Sequence, residues 1–194
     1  MSVKLLHEYH LGDMLARYTM DTDSGQAGFL LLPAGMPLGD SSDKNARTEL
    51  PVQLKLTGDT YDEAYAMGNT MRNSETVRCL EYGSQKEETK GDVHQIDTVY
   101  QDTRGNRVIH HLRWKEQASY VKISCTYENR GKEECTLEMF ESFSLGGLSP
   151  YLAGDGHECM YLHRIRSVWS GEGRHEEIPI EDLQLEPAME SHAV

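Results

Sequence analysis

At 194 residues the chain fits one domain, and a chain of that length buries roughly 70% of its unfolded surface, so it needs neither disulfide nor metal to fold. The formal net charge of −13, from 32 acidic residues against 19 lysines and arginines, would repel a phosphate backbone or an anionic membrane surface, which argues against nucleic-acid and membrane partners. No apolar run reaches the ~18 residues of a membrane span, and the opening MSVKLLHEYHLGD does not read as an export signal, so the cytoplasm is the expected compartment.

In chain order, LLHEYHL, MLARYTMD and AGFLLLP read as short strands, separated by the turn sequences GD and TDSGQ. Gly39 to Arg47 is a polar loop. PVQLKLTG, TVRCLEYGSQKEET and QIDTVYQD give further strands, and NRVIHHLRW follows the turn DTRGN. VKISCTY places Val121, Ile123, Cys125 and Tyr127 on one face and Lys122, Ser124 and Thr126 on the other. ECTLEMFESFSL places Cys135, Leu137 and Met139 together, and the turn residues Asn129 and Gly131 between the two runs predict a hairpin. Residues 145–160 form a small-residue-rich connection, and Pro179 to Leu183 make a short helical turn. LHRIRSVWSGEGRHEE is a strand and turn whose alternation puts Ile165 and Trp169 on one face and Arg164, Arg166 and Val168 on the other, before Gly171 and Gly173 turn the chain. Repeated apolar-polar alternation and scarce helical periodicity predict an all-β fold of antiparallel sheets packed as a β-sandwich. It is expected as a single domain over 1–194, with 177–194 a connecting segment.

Chemistry is harder to place. The four cysteines, Cys79, Cys125, Cys135 and Cys159, form no C-x-x-C pair and are expected as buried free thiols. His110 and His111 are neighbours on a strand, so they face opposite sides, one packed and one exposed. No set of three or four ligands suggests zinc, and no motif calls for a cofactor. GDGHE, with Asp155 and His157, reads either as a polar site or as a turn. Trp169 beside Arg164 and Arg166 reads either as a sugar platform with hydroxyl-binding arginines or as a core tryptophan under snorkelling arginines. Arg72 and Asn73 read either as a donor-rich loop pair or as a turn with a solvated arginine.

TMRNSETVRCLEYGSQ and YLHRIRSVWSGEGRHEE, with YENRGKEECTLEMFESFSLGGL between them, resemble the amino-terminal region of α-galactosidases of glycoside hydrolase family 36, over about Leu5 to Pro187. The resemblance implies a β-supersandwich of the galactose-mutarotase type that packs against a following (β/α)-barrel. In that family the barrel carries the two catalytic aspartates of a retaining mechanism. Nothing here resembles the barrel, so the chain is expected to be a fragment or short product, inactive alone, with no catalytic carboxylate and no cofactor. The resemblance further implies self-association, a barrel partner and a carbohydrate substrate such as melibiose or raffinose. It also implies that Met71, Arg72 and Asn73 lie on a loop reaching a neighbouring subunit's sugar site, and that Arg164, Arg166 and Trp169 line a sugar or barrel interface. Two other readings follow from the residues: a stand-alone carbohydrate-binding sandwich, and a mutarotase-like enzyme using His110, His157 or Glu141.

Overall fold

A computed structural model describes residues 3–35, 49–61, 72–146 and 158–183. Those residues form eleven strands, one short α-helix and one 3-10 turn, and every strand pairing is antiparallel. The expected antiparallel β-sandwich is what the chain adopts.

Strands β1 (Val3–Leu11), β2 (Met14–Asp21) and β3 (Ala27–Pro33) make a three-stranded meander, as their alternation and turns predict. Gly12, at φ +70, supplies the left-handed residue that the tight β1–β2 connection needs. Strands β5 (Glu81–Lys90), β6 (Val93–Gln101), β7 (Asn106–Lys115) and β8 (Val121–Asn129) form a four-stranded sheet in chain order. Its inner face is set by period two: Ile96, Thr98, Tyr100, Val108, His110 and Leu112 are all buried.

The opposing layer has two parts. The meander contributes Leu11, Ala16, Tyr18 and Phe29 against Ile96 and Leu112. Beside it, β4 (Gln53–Leu56) pairs with β9 (Leu137–Glu141), and Leu50, Val52, Leu54, Leu56, Val77 and Leu80 pack on Tyr100 and Val108. The Phe29 amide donates to the Glu49 carbonyl at 3.1 Å and stitches the two parts together.

Several expectations are corrected. β9 does not form a hairpin with β8. It crosses to β4 in the other layer, because Leu54 and Phe140 sit opposite each other and both reach the core. That choice turns Phe140 inward, while Leu137 is exposed, so the face read from Cys135, Leu137 and Met139 is the outer one. TVRC is not strand: Glu75–Cys79 forms α1, capped by Ser74, whose buried hydroxyl accepts from the Val77 amide at 3.3 Å and donates to the Leu54 carbonyl at 2.6 Å. The cysteines are free as expected, but Cys79, Cys135 and Cys159 are exposed and only Cys125 is partly buried. Residues 177–179 complete strand β11 (Arg174–Pro179) rather than a linker, and the expected helical turn follows at Ile180–Leu183. The 39–47 loop, Asp155, His157, Met71 and most of 145–160 lie outside the described residues.

The histidine pair divides as period two requires. His110 is fully buried, in contact with the rings of Tyr18 and Phe29, whereas His111 is on the outer face with Asp97. A core position rules His110 out as the base of an open cleft, and Glu141 is exposed at the end of β9.

Candidate functional site

The hairpin of β10 (Tyr161–Arg166) and β11 stands out among the described residues. Every residue of β10 is exposed. In register, Arg164 faces Glu176 and Arg166 faces Arg174, so these four share one side. Glu176 accepts from Arg164 Nε at 2.7 Å and from Arg166 Nε at 2.5 Å. The two guanidinium groups hold its carboxyl below the ordinary range. The arginines thus meet an acidic neighbour, and Glu176 fixes where they point.

The opposite side carries His163, Ile165, His175 and Glu177. The His163 and His175 rings stack at 5.3 Å with Nδ1 and Nε2 3.1 Å apart. Among the described residues no cluster of three or more metal-ligating side chains forms.

Trp169 is not on the strand. β10 ends at Arg166, so the alternation that pairs Trp169 with Ile165 does not extend to it. Trp169 sits at the tip, 94% exposed, and is not a core tryptophan. The tip is nevertheless ordered by hydrogen bonds from the Gly171 amide to the Val168 carbonyl and from the Gly173 amide to the Arg166 carbonyl, each 2.9 Å. Ser170 holds φ 67, a left-handed conformation that costs a non-glycine residue on the order of 1 kcal/mol. Tyr161, Leu162, Ile165 and Val168 are exposed along the same hairpin. Exposed apolar residues gathered on one hairpin make it the candidate contact surface.

Arg72 and Asn73 lie elsewhere, before α1. Arg72 pairs with Glu49 at 3.0 Å. Asn73 adopts φ 58, its amide donates to Gln53 Oε1 at 2.7 Å, its side-chain oxygen accepts from Gln53 at 3.2 Å, and its carbonyl accepts from Arg78 at 2.9 Å. It therefore acts as a turn residue with its groups committed. The cleft beside it measures about 30 Å³, room for water but not for a sugar.

A larger cleft of about 430 Å³ was not foreseen from sequence; Asp59, Glu75, Arg104, Glu134, Cys135 and Thr136 are among its lining residues. Arg104 donates to Asp102 at 3.1 Å, Glu75 at 3.1 Å and Thr76 at 3.2 Å, so each of its three nitrogens already has a partner in the fold. The turn sequence DTRGN announces the loop but not the cleft, because the β4–β9 pairing that forms one wall joins segments far apart in the chain.

Comparison with family models, with curated proteins and with solved structures finds no match for this chain.

Proposed function

We propose that this chain is the non-catalytic β-sandwich region of an α-galactosidase of the family 36 type, acting on melibiose- or raffinose-like α-galactosides. In this reading it supports oligomer assembly and frames the active-site mouth, and the catalytic carboxylates belong to a (β/α)-barrel partner. The observation that carries the reading is the β10–β11 hairpin, whose Trp169, Ile165 and Val168 are 94%, 72% and 55% exposed on an ordered scaffold. An apolar tip flanked by arginines fixed on Glu176 has the composition of an interface hot spot. The sequence resemblance names the partner. Arg72, with its side chain 43% exposed, keeps reach toward a neighbouring subunit, whereas Asn73 is spent on its own turn.

The test is calorimetric titration of the chain against a separately produced family 36 catalytic barrel. Binding that weakens at least tenfold on Trp169→Ala is expected, together with no hydrolysis of an aryl α-galactoside by the chain alone. Hydrolysis by the chain that disappears with a point change in it overturns the reading. A second reading, a stand-alone carbohydrate-binding sandwich, draws on the same exposed Trp169 ring. It requires heat on titration with millimolar galactose or raffinose, lost in Trp169→Ala.

A further inference from the structure

The outer face of the four-stranded sheet carries an arrangement that the assembly role does not use. Asp97 on β6 faces His111 on β7 directly, and Thr126 on β8 lies one diagonal step from His111, which itself faces Ser124. Asp97 Oδ1 is 2.6 Å from His111 Nδ1, and His111 Nε2 is 3.0 Å from Thr126 Oγ1. Gln95 donates to the same Asp97 oxygen at 2.9 Å and holds the carboxylate in place.

The proton positions follow from chemistry. An ionised carboxylate only accepts, so in the neutral imidazole Nδ1 carries the hydrogen, Nε2 keeps its lone pair, and the Thr126 hydroxyl donates to it. Burial works to raise the Asp97 carboxyl, but hydrogen bonds from His111 and Gln95 outweigh it and hold it below the ordinary range, so it is ionised near neutrality. The order is acid, base and hydroxyl with both hydrogen bonds formed, the relation by which a nucleophilic triad is recognised on any fold. Thr126 is exposed and reachable.

We propose that Asp97, His111 and Thr126 form a nucleophilic triad that accepts an acyl group from a carboxylic ester onto Thr126. Thr126 Oγ attacks the carbonyl carbon while His111 Nε2 takes its proton. The bond to the leaving alcohol then breaks and His111 returns the proton to that alcohol, giving a threonine ester and a free alcohol. Neither cleft described above contains these residues. Donors to the oxyanion contribute about 10²–10³ where present; on this open face the expected behaviour is a single acylation rather than rapid turnover.

The probe is p-nitrophenyl acetate, applied to the full chain after the exposed thiols are blocked with N-ethylmaleimide. Mass spectrometry should place one acetyl group on Thr126. Hydroxylamine should remove it, as it removes an ester but not an amide on the neighbouring Lys122. The labelling rate should fall about 10²-fold in His111→Ala, in line with a lost general base, should vanish in Thr126→Val and should survive in Thr126→Ser. Circular dichroism on each variant separates a lost triad from a lost fold, and the Thr126→Ser variant keeps the test decisive if His111→Ala does not fold. Labelling confined to lysines, or a threonine ester formed at an undiminished rate in folded His111→Ala, overturns the proposal.

Discussion

His110 should make this fold acid-sensitive through a single buried side chain. It is fully buried against Tyr18 and Phe29, its Nδ1 is 3.4 Å from the Tyr18 hydroxyl, and its Nε2 has no hydrogen-bond partner. Burial, with a smaller contribution from His111, pushes its pKa from 6.5 to about 3. A depressed histidine stays neutral in the fold but protonates when unfolded, so its stability contribution is fully present above about 6.5 and is lost as pH falls toward about 3. Each pH unit in that window costs about 1.4 kcal/mol, so going from about pH 7 to about pH 5 should cost ~2 kcal/mol through this one side chain. Replacing it by leucine removes both the titration and the unpaired nitrogen at similar volume, so the change near neutrality should be within about 1.5 kcal/mol. Urea unfolding followed by circular dichroism at several pH values gives both stabilities. The wild type should lose ~2 kcal/mol more than His110→Leu across that interval. Equal losses in the two proteins would refute the reasoning and mean that His110 takes up its proton inside the fold.

Ser74→Ala removes both the cap of α1 and a buried donor to the Leu54 carbonyl, and should cost about 1–3 kcal/mol in the same unfolding assay. Gly105→Ala should cost more than 1 kcal/mol, since φ is +98 and a new Cβ would lie 2.4 Å from the Gly131 amide nitrogen and 2.9 Å from the Arg130 carbonyl carbon, both of them backbone. Trp169→Ala, at a tip that is 94% exposed, should leave stability within about 0.5 kcal/mol while lowering self-association in analytical ultracentrifugation. Glu176→Gln should free the two arginines it clamps and weaken barrel binding without a comparable loss of stability, read by calorimetry beside thermal melts.

Much of the fold is legible in the sequence because a sandwich writes itself in period two. Val108, His110 and Leu112 against Arg107, Ile109 and His111 announce which side of β7 is inside. What alternation cannot announce is the partner of a strand. β9 reads equally well as the second arm of a hairpin, and only the pairing of Phe140 with Leu54 on the neighbouring strand β4 decides otherwise. Alternation also says nothing of where a strand stops, so a parity read through Arg166 misplaces Trp169. α1 was missed because it is a five-residue helix made largely of β-favouring residues, held by the Ser74 cap and by buried Thr76 and Val77. Of the candidate residues, Asn73 reveals its role only in Gln53, a partner distant in sequence, and Arg104 only in Glu75. The outer-face set of Asp97, His111 and Thr126 needs three strands in register, information that no single segment carries.

The proposed assembly role turns on the β10–β11 hairpin. Hydrogen–deuterium exchange of the chain, alone and with a family 36 catalytic barrel, tests that placement directly. The peptide spanning Tyr161–Pro179 should gain protection on mixing and lose that gain in Trp169→Ala. Complex formation with unchanged exchange across Tyr161–Pro179 and protection elsewhere would contradict it.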